Sequence, residues 1–98
     1  MSGDDRALVS RIAKIVNEKG LHARASAKLA RTAARYEADI LIRNGSFSAA
    51  ATSIMDLLLL VAHPGVSVTV EARGVDADAA ADAVKALIED GFGELDED

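Results

Sequence analysis

The chain has 98 residues, enough for one domain but too few for two independent cores, and half of them are hydrophobic while only 3% are aromatic. With no cysteine and two well-separated histidines it offers neither a disulfide framework nor a familiar zinc spacing, and nothing in it calls for a cofactor. The net charge of −5 is concentrated, because six of the 16 acidic residues fall in the last ten positions, EDGFGELDED, and the remaining body is nearly neutral and has no bulk attraction for nucleic acid.

The opening MSGDDRALVS carries acid where a signal peptide needs positive charge, and no apolar run reaches membrane-spanning length. The expectation is a cytoplasmic protein without membrane insertion. Its folded core should cover about residues 8–92, with residues 1–7 and 93–98 as flexible tails.

Residues 8–16, LVSRIAKIV, are rich in β-branched side chains and set Ala13 and Ile15 on one face, which predicts a first strand. Turn-forming and charged residues follow, and from Ala23 to about Arg35 strong helix formers predict a first helix. DILIR reads as a second strand, and Asn44-Gly45 suits a type I′ turn into a weaker third one. Ser or Thr then caps a short helix, with Asp56 three residues after Ser53, ending at Pro64-Gly65.

The helix segment from Leu57 to Ala62 is apolar all round, so it is either deeply buried or covered by another protein. In VSVTVEA, valines and alanine alternate with Ser67, Thr69 and Glu71, the clearest strand in the chain. Asp76 or Asp78 caps a last helix whose Ala80, Val84, Leu87 and Ile88 recur at helical spacing, and Gly91 stops it. The resulting βαββαβα order predicts an α/β (α+β) two-layer sandwich, a half-wet antiparallel sheet with its helices on one face.

Within EKGLHARASAKLA, His22 stands where the first helix begins, beside backbone N–H groups that have no helical partner. Those groups and the helix dipole favour a neutral, nucleophilic ring and would stabilise a phosphoryl group placed on it, with Arg24 close by to add charge. Gly20 lets the chain turn sharply into this approach. Arg24, Lys28, Arg31 and Arg35 form one basic stripe along the helix, which beside the leucines of the short helix could rim a docking patch for acidic partners. Leu21, Phe47, Met55 and Leu58 are candidate apolar contacts, and His63 has no evident chemistry.

GLHARASAKL closely resembles the active-site segment of HPr, the histidine-containing phosphocarrier family of the bacterial phosphotransferase system, often written GLHARPA. TSIMDLLLLVAHPG and the sequence after it resemble the family's second block. The resemblance implies an open-faced sandwich with sheet order 1-4-2-3. It further implies that His22 accepts a phosphoryl group on Nδ1 from Enzyme I and passes it to an EIIA-type acceptor, with Arg24 supporting transfer. The protein would then be a monomeric carrier that turns over no substrate unaided.

Ser53 matches the serine that HPr kinase/phosphorylase modifies in some members, which leaves both regulation and a plain N-cap open. Ala25 replaces the family's common proline, an exchange a helix start tolerates, and the alanine-serine form resembles nitrogen-type and proteobacterial members. Two other classes stay open. One is a binding module whose phosphorylation state informs a regulatory target; the other is a ferredoxin-like domain that binds a small molecule.

Overall fold

The structure, a computed structural model, describes residues 7–94. Strands β1 (Val9–Lys14), β2 (Asp39–Asn44), β3 (Phe47–Ala50) and β4 (Ser67–Arg73) alternate with helices α1 (Ala23–Ala33), α2 (Ile54–Leu59) and α3 (Ala77–Glu89) in the expected order, and a 3-10 turn (Gly91–Gly93) follows. All three pairings are antiparallel and the sheet order is β1-β4-β2-β3. The central strand β4 carries the cleanest alternation, Val68, Val70 and Ala72 inward, and its register sets Val68 opposite Ala13, Val70 opposite Ile42 and Ala72 opposite Ile40.

One face of the sheet is covered by the helices. α3 lies on β1 and β4 through Ala80, Ala81, Val84 and Ile88, and α1 adds Ala25, Leu29 and Ala33. So many alanines bring helix and sheet backbones close, which makes up for the shortage of aromatic bulk. Phe92, after α3, is the largest fully buried side chain.

Local boundaries shift for identifiable reasons. In the β2–β3 hairpin Asn44 pairs with Phe47, so the turn's central residues are Gly45 and Ser46. Only Gly45 of these two has a positive φ, 63°, which is the type II′ pattern and not the expected I′. Asn44 uses its side chain instead to reach the Leu60 carbonyl at 3.2 Å. Helix α2 stops at Leu59, short of Pro64, because Val61 takes a left-handed φ of 51°. Ser53 caps it as expected, its hydroxyl accepting the Asp56 N–H at 3.2 Å.

The expected tails need one correction. Residues 1–6 and 95–98 lie outside the described residues, but Gly93 and Glu94 belong to the fold. Phe92 is buried with a φ of 57°, flanked by Gly91 and Gly93, and the Lys28 ammonium donates to its carbonyl at 2.7 Å. These contacts hold the chain end against α1.

The entry to α1 depends on Gly20, whose φ is 65° and where a Cβ would stand 2.6 Å from the Ala62 carbonyl oxygen. That same carbonyl accepts the Leu21 N–H at 3.1 Å, so the two segments cannot simply part. Gly20→Ala should therefore lower stability by about 1–3 kcal/mol, read as a lower urea midpoint with an unchanged slope.

Candidate functional site

His22 is the N-cap of α1, with extended backbone angles (φ −85°, ψ −175°) and a ring that turns back over the helix start. Its Nδ1 accepts the Arg24 backbone N–H at 3.2 Å, a long bond that an incoming oxygen could replace. Its carbonyl accepts the Ser26 N–H at 2.8 Å and so begins the helix ladder. The first-turn amides of Ala23 and Ala25 have no partner inside the helix, that of Arg24 is held by the imidazole, and α1 has no acidic residue in its first turn to compete for them.

The opposite ring edge meets the chain end. Nε2 of His22 lies 2.5 Å from Oε2 of Glu94, and the two side chains keep only 25% and 11% of their exposure. With Nδ1 accepting a backbone proton, the ring proton belongs on Nε2, which donates it to the carboxylate. The other Glu94 oxygen accepts from Nδ2 of Asn17 at 2.9 Å, and the same amide nitrogen donates to the Gly20 carbonyl at 2.8 Å. Burial alone would raise the Glu94 carboxyl, but the hydrogen bonds from Asn17 and His22 and the charges of His22 and Lys28 outweigh it and hold the group below the usual carboxylate range.

The residues expected at the site divide into three groups. His22 and Arg24 meet at the start of α1, Arg24 with its guanidinium exposed. Phe47 (69% exposed) and Met55 (67%) stand on the surface with Ile54, Leu59 (73%) and Val61, three apolar residues not singled out from sequence. A recess of about 200 Å³ between β3 and α2, lined by Phe47, Ser48, Asp56, Leu59 and Leu60, joins this patch. Arg31 is exposed about two helical turns along the same face from Arg24.

Leu21 and Lys28 are placed otherwise than a docking role requires. Leu21 is buried in the core because its N–H is tied to Ala62 immediately after the Gly20 turn. Lys28 is half-buried and committed to the Phe92 carbonyl. Leu58 is half-buried too, while Leu57 and Leu60 turn inward, so the apolar run of α2 is partly core and partly surface. Ser53 lies partly exposed at the N-terminus of α2. His63 is exposed in the turn that backs Gly20.

Glu94 was not legible as a site residue, since an acidic terminal run ordinarily stays in water. The signal that could have found it is GFG, an apolar anchor between two glycines inside that run. No group of three or more His, Cys, Asp or Glu side chains among the described residues could hold a metal ion, and no helix among them is long and apolar enough to cross a membrane.

Most of the chain is similar to known phosphocarriers. Residues 9–90 match the family model described as the PTS HPr component phosphorylation site. Phosphocarrier protein NPr of Shewanella violacea is 45% identical over 80 residues, which cover 82% of this chain and 88% of that protein. Phosphocarrier protein HPr of Cupriavidus necator is 40% identical over 87 residues, 89% of this chain and 98% of that one. The crystal structure of HPr-C-His from Thermoanaerobacter tengcongensis superposes with a TM-score of 0.83 at 34% identity, covering 88% of this chain and 97% of its own. A histidine capping the first helix of a β1-β4-β2-β3 sandwich, with similarity across most of its length to such carriers, makes this chain a member of the HPr family of phosphotransferase-system phosphocarriers.

Proposed function

We propose that His22 takes a phosphoryl group on Nδ1 from phosphorylated Enzyme I and hands it to an EIIA-type acceptor. The observation that carries this reading is the orientation of the N-cap ring, whose Nδ1 lone pair is turned toward the first turn of α1, where it accepts the Arg24 N–H. A phosphoryl group arriving there exchanges the long Arg24 N–H contact for hydrogen bonds that first-turn amides donate to its oxygens, while the helix dipole and the exposed Arg24 guanidinium offset its charge.

The reaction conserves its parts. The N–P bond to His22 forms as the donor's own bond to phosphorus breaks, and that electron pair stays with the donor. His22 is nucleophile in the first transfer and leaving group in the second. Each interface supplies the remaining catalytic geometry, so the chain turns over no substrate by itself.

Docking falls to the exposed Phe47, Ile54, Met55 and Leu59, with the exposed Arg24 and Arg31 of α1 as the expected basic rim. An apolar centre with a basic rim suits acidic partners that must meet quickly and leave quickly. Phosphorylation of Ser53 would put a dianion beside Asp56 in the same helical turn and close to this patch, so its effect would be on docking. A regulatory target that reads one phosphorylation state would use the same surface, and is told apart by whether an acceptor collects the phosphoryl group.

Incubated with phosphoenolpyruvate and an active Enzyme I, the wild-type chain should gain one phosphoryl mass at neutral or mildly alkaline pH, and His22→Ala should gain none while keeping its circular dichroism. No added mass on the wild type would refute the carrier reading. Arg24→Ala should still be phosphorylated, with kcat/KM for transfer lower by about tenfold, the size of one charge-assisted contact. Leu59→Asp should raise KM for Enzyme I by a similar factor of about ten and leave slow labelling by a small phosphoryl donor unchanged, which stopped-flow or quench-flow kinetics would read.

A further inference from the structure

The acidic end of the chain is part of the site. We propose that Glu94, held by Asn17, is a positioning residue for phosphoryl transfer: it fixes the His22 ring through Nε2 and balances the positive charge that the ring acquires when Nδ1 bonds to phosphorus.

Three observations carry this. Glu94 touches the ring nitrogen opposite the nucleophile, its side chain 11% exposed. Its second oxygen is fixed by the fully buried Asn17, whose other contact is the Gly20 turn that aims the ring. The segment carrying it is pinned by the buried Phe92 and by Lys28, so the carboxylate is held in place before any partner arrives. The charged side chains on the neighbouring elements are Glu18 and Lys19 in the loop before α1 and Arg24 and Lys28 on α1, and a second histidine, His63, lies in the turn after α2. Among the described side chains, that of Glu94 alone hydrogen-bonds the ring, whose other nitrogen accepts the Arg24 backbone N–H.

The chemistry follows from which nitrogen holds the proton. As Nδ1 forms its bond to phosphorus, the ring keeps the Nε2 proton and becomes cationic. A cationic ring is also the better leaving group in the next transfer, because breaking the N–P bond returns its electron pair to Nδ1 and leaves a neutral imidazole. A carboxylate on Nε2 stabilises that cation in both directions. This inference rests on the carrier reading for its biological direction, but its chemical core can be tested without Enzyme I.

Phosphoramidate, a small phosphoryl donor, would be used to label wild type, Glu94→Gln and a chain ending at Gly93, and hydrolysis of the phosphorylated proteins followed by intact mass across pH. Glu94→Gln removes the charge and leaves one acceptor oxygen in place of the two that receive Asn17 and His22, and the shortened chain keeps Phe92. In the wild type, the fast-hydrolysing cationic form should persist to higher pH. In both variants the break in the profile should move to lower pH, by about one pH unit, the scale of one close opposite charge. With Enzyme I as donor, kcat should fall by about tenfold with little change in KM. Superimposable hydrolysis profiles in wild type and both variants would overturn the proposal. Failure of Enzyme I to label the wild type would instead strike the carrier reading, and the phosphoramidate profiles would still decide the role of Glu94.

Discussion

One buried amide ties the site together. Asn17 has no exposed surface, and its Nδ2 spans two segments that are distant in sequence, bonding the Gly20 carbonyl at 2.8 Å and Glu94 at 2.9 Å. Through the first bond it stabilises the left-handed turn that leads into α1; through the second it holds the carboxylate behind His22. A buried donor of this kind is costly to leave unpaired, so both segments are drawn to it in the folded chain. The imidazole is thereby gripped at both edges, with a backbone amide at Nδ1 and a carboxylate at Nε2.

The sandwich supplies the rigid frame for this arrangement. β4 sits between β1 and β2 and carries the regular inward row of Val68, Val70 and Ala72, onto which alanine-rich helices can settle closely. α1 then presents its N-terminus at the sheet's end, where the Ala62 carbonyl after α2 receives the Leu21 N–H. Precise placement of a nucleophile at a helix start requires such neighbours, because an N-cap residue is outside the helix ladder and has no fixed direction of its own.

Much of this was legible in the chain. VSVTVEA could be read as a half-buried strand because its alternation is unbroken, and GLHAR could be read as a helix start at His22 and as the mark of the family because both readings point to the same segment. Details that depend on tertiary contacts were not. The hairpin turn moved by one residue because Asn44 was drawn into a strand pair and toward Leu60. Leu21 looked like a surface contact, but the turn at Gly20 points it into the core. Leu59 is indistinguishable in sequence from its buried neighbours Leu57 and Leu60 in an all-apolar run. Glu94 was hidden in an acidic tail, since nothing local marks the one acid that folds back.

The account stands or falls on how the ring is held in the free protein. Two-bond proton–nitrogen correlation spectra of ¹⁵N-labelled protein, recorded on the neutral imidazole, report the protonation of each ring nitrogen. The account predicts one tautomer, with Nε2 protonated and Nδ1 bare, and an Nε2 proton shifted far downfield and slow to exchange because it is shared with Glu94. A mixture of tautomers, or a proton on Nδ1, would contradict it.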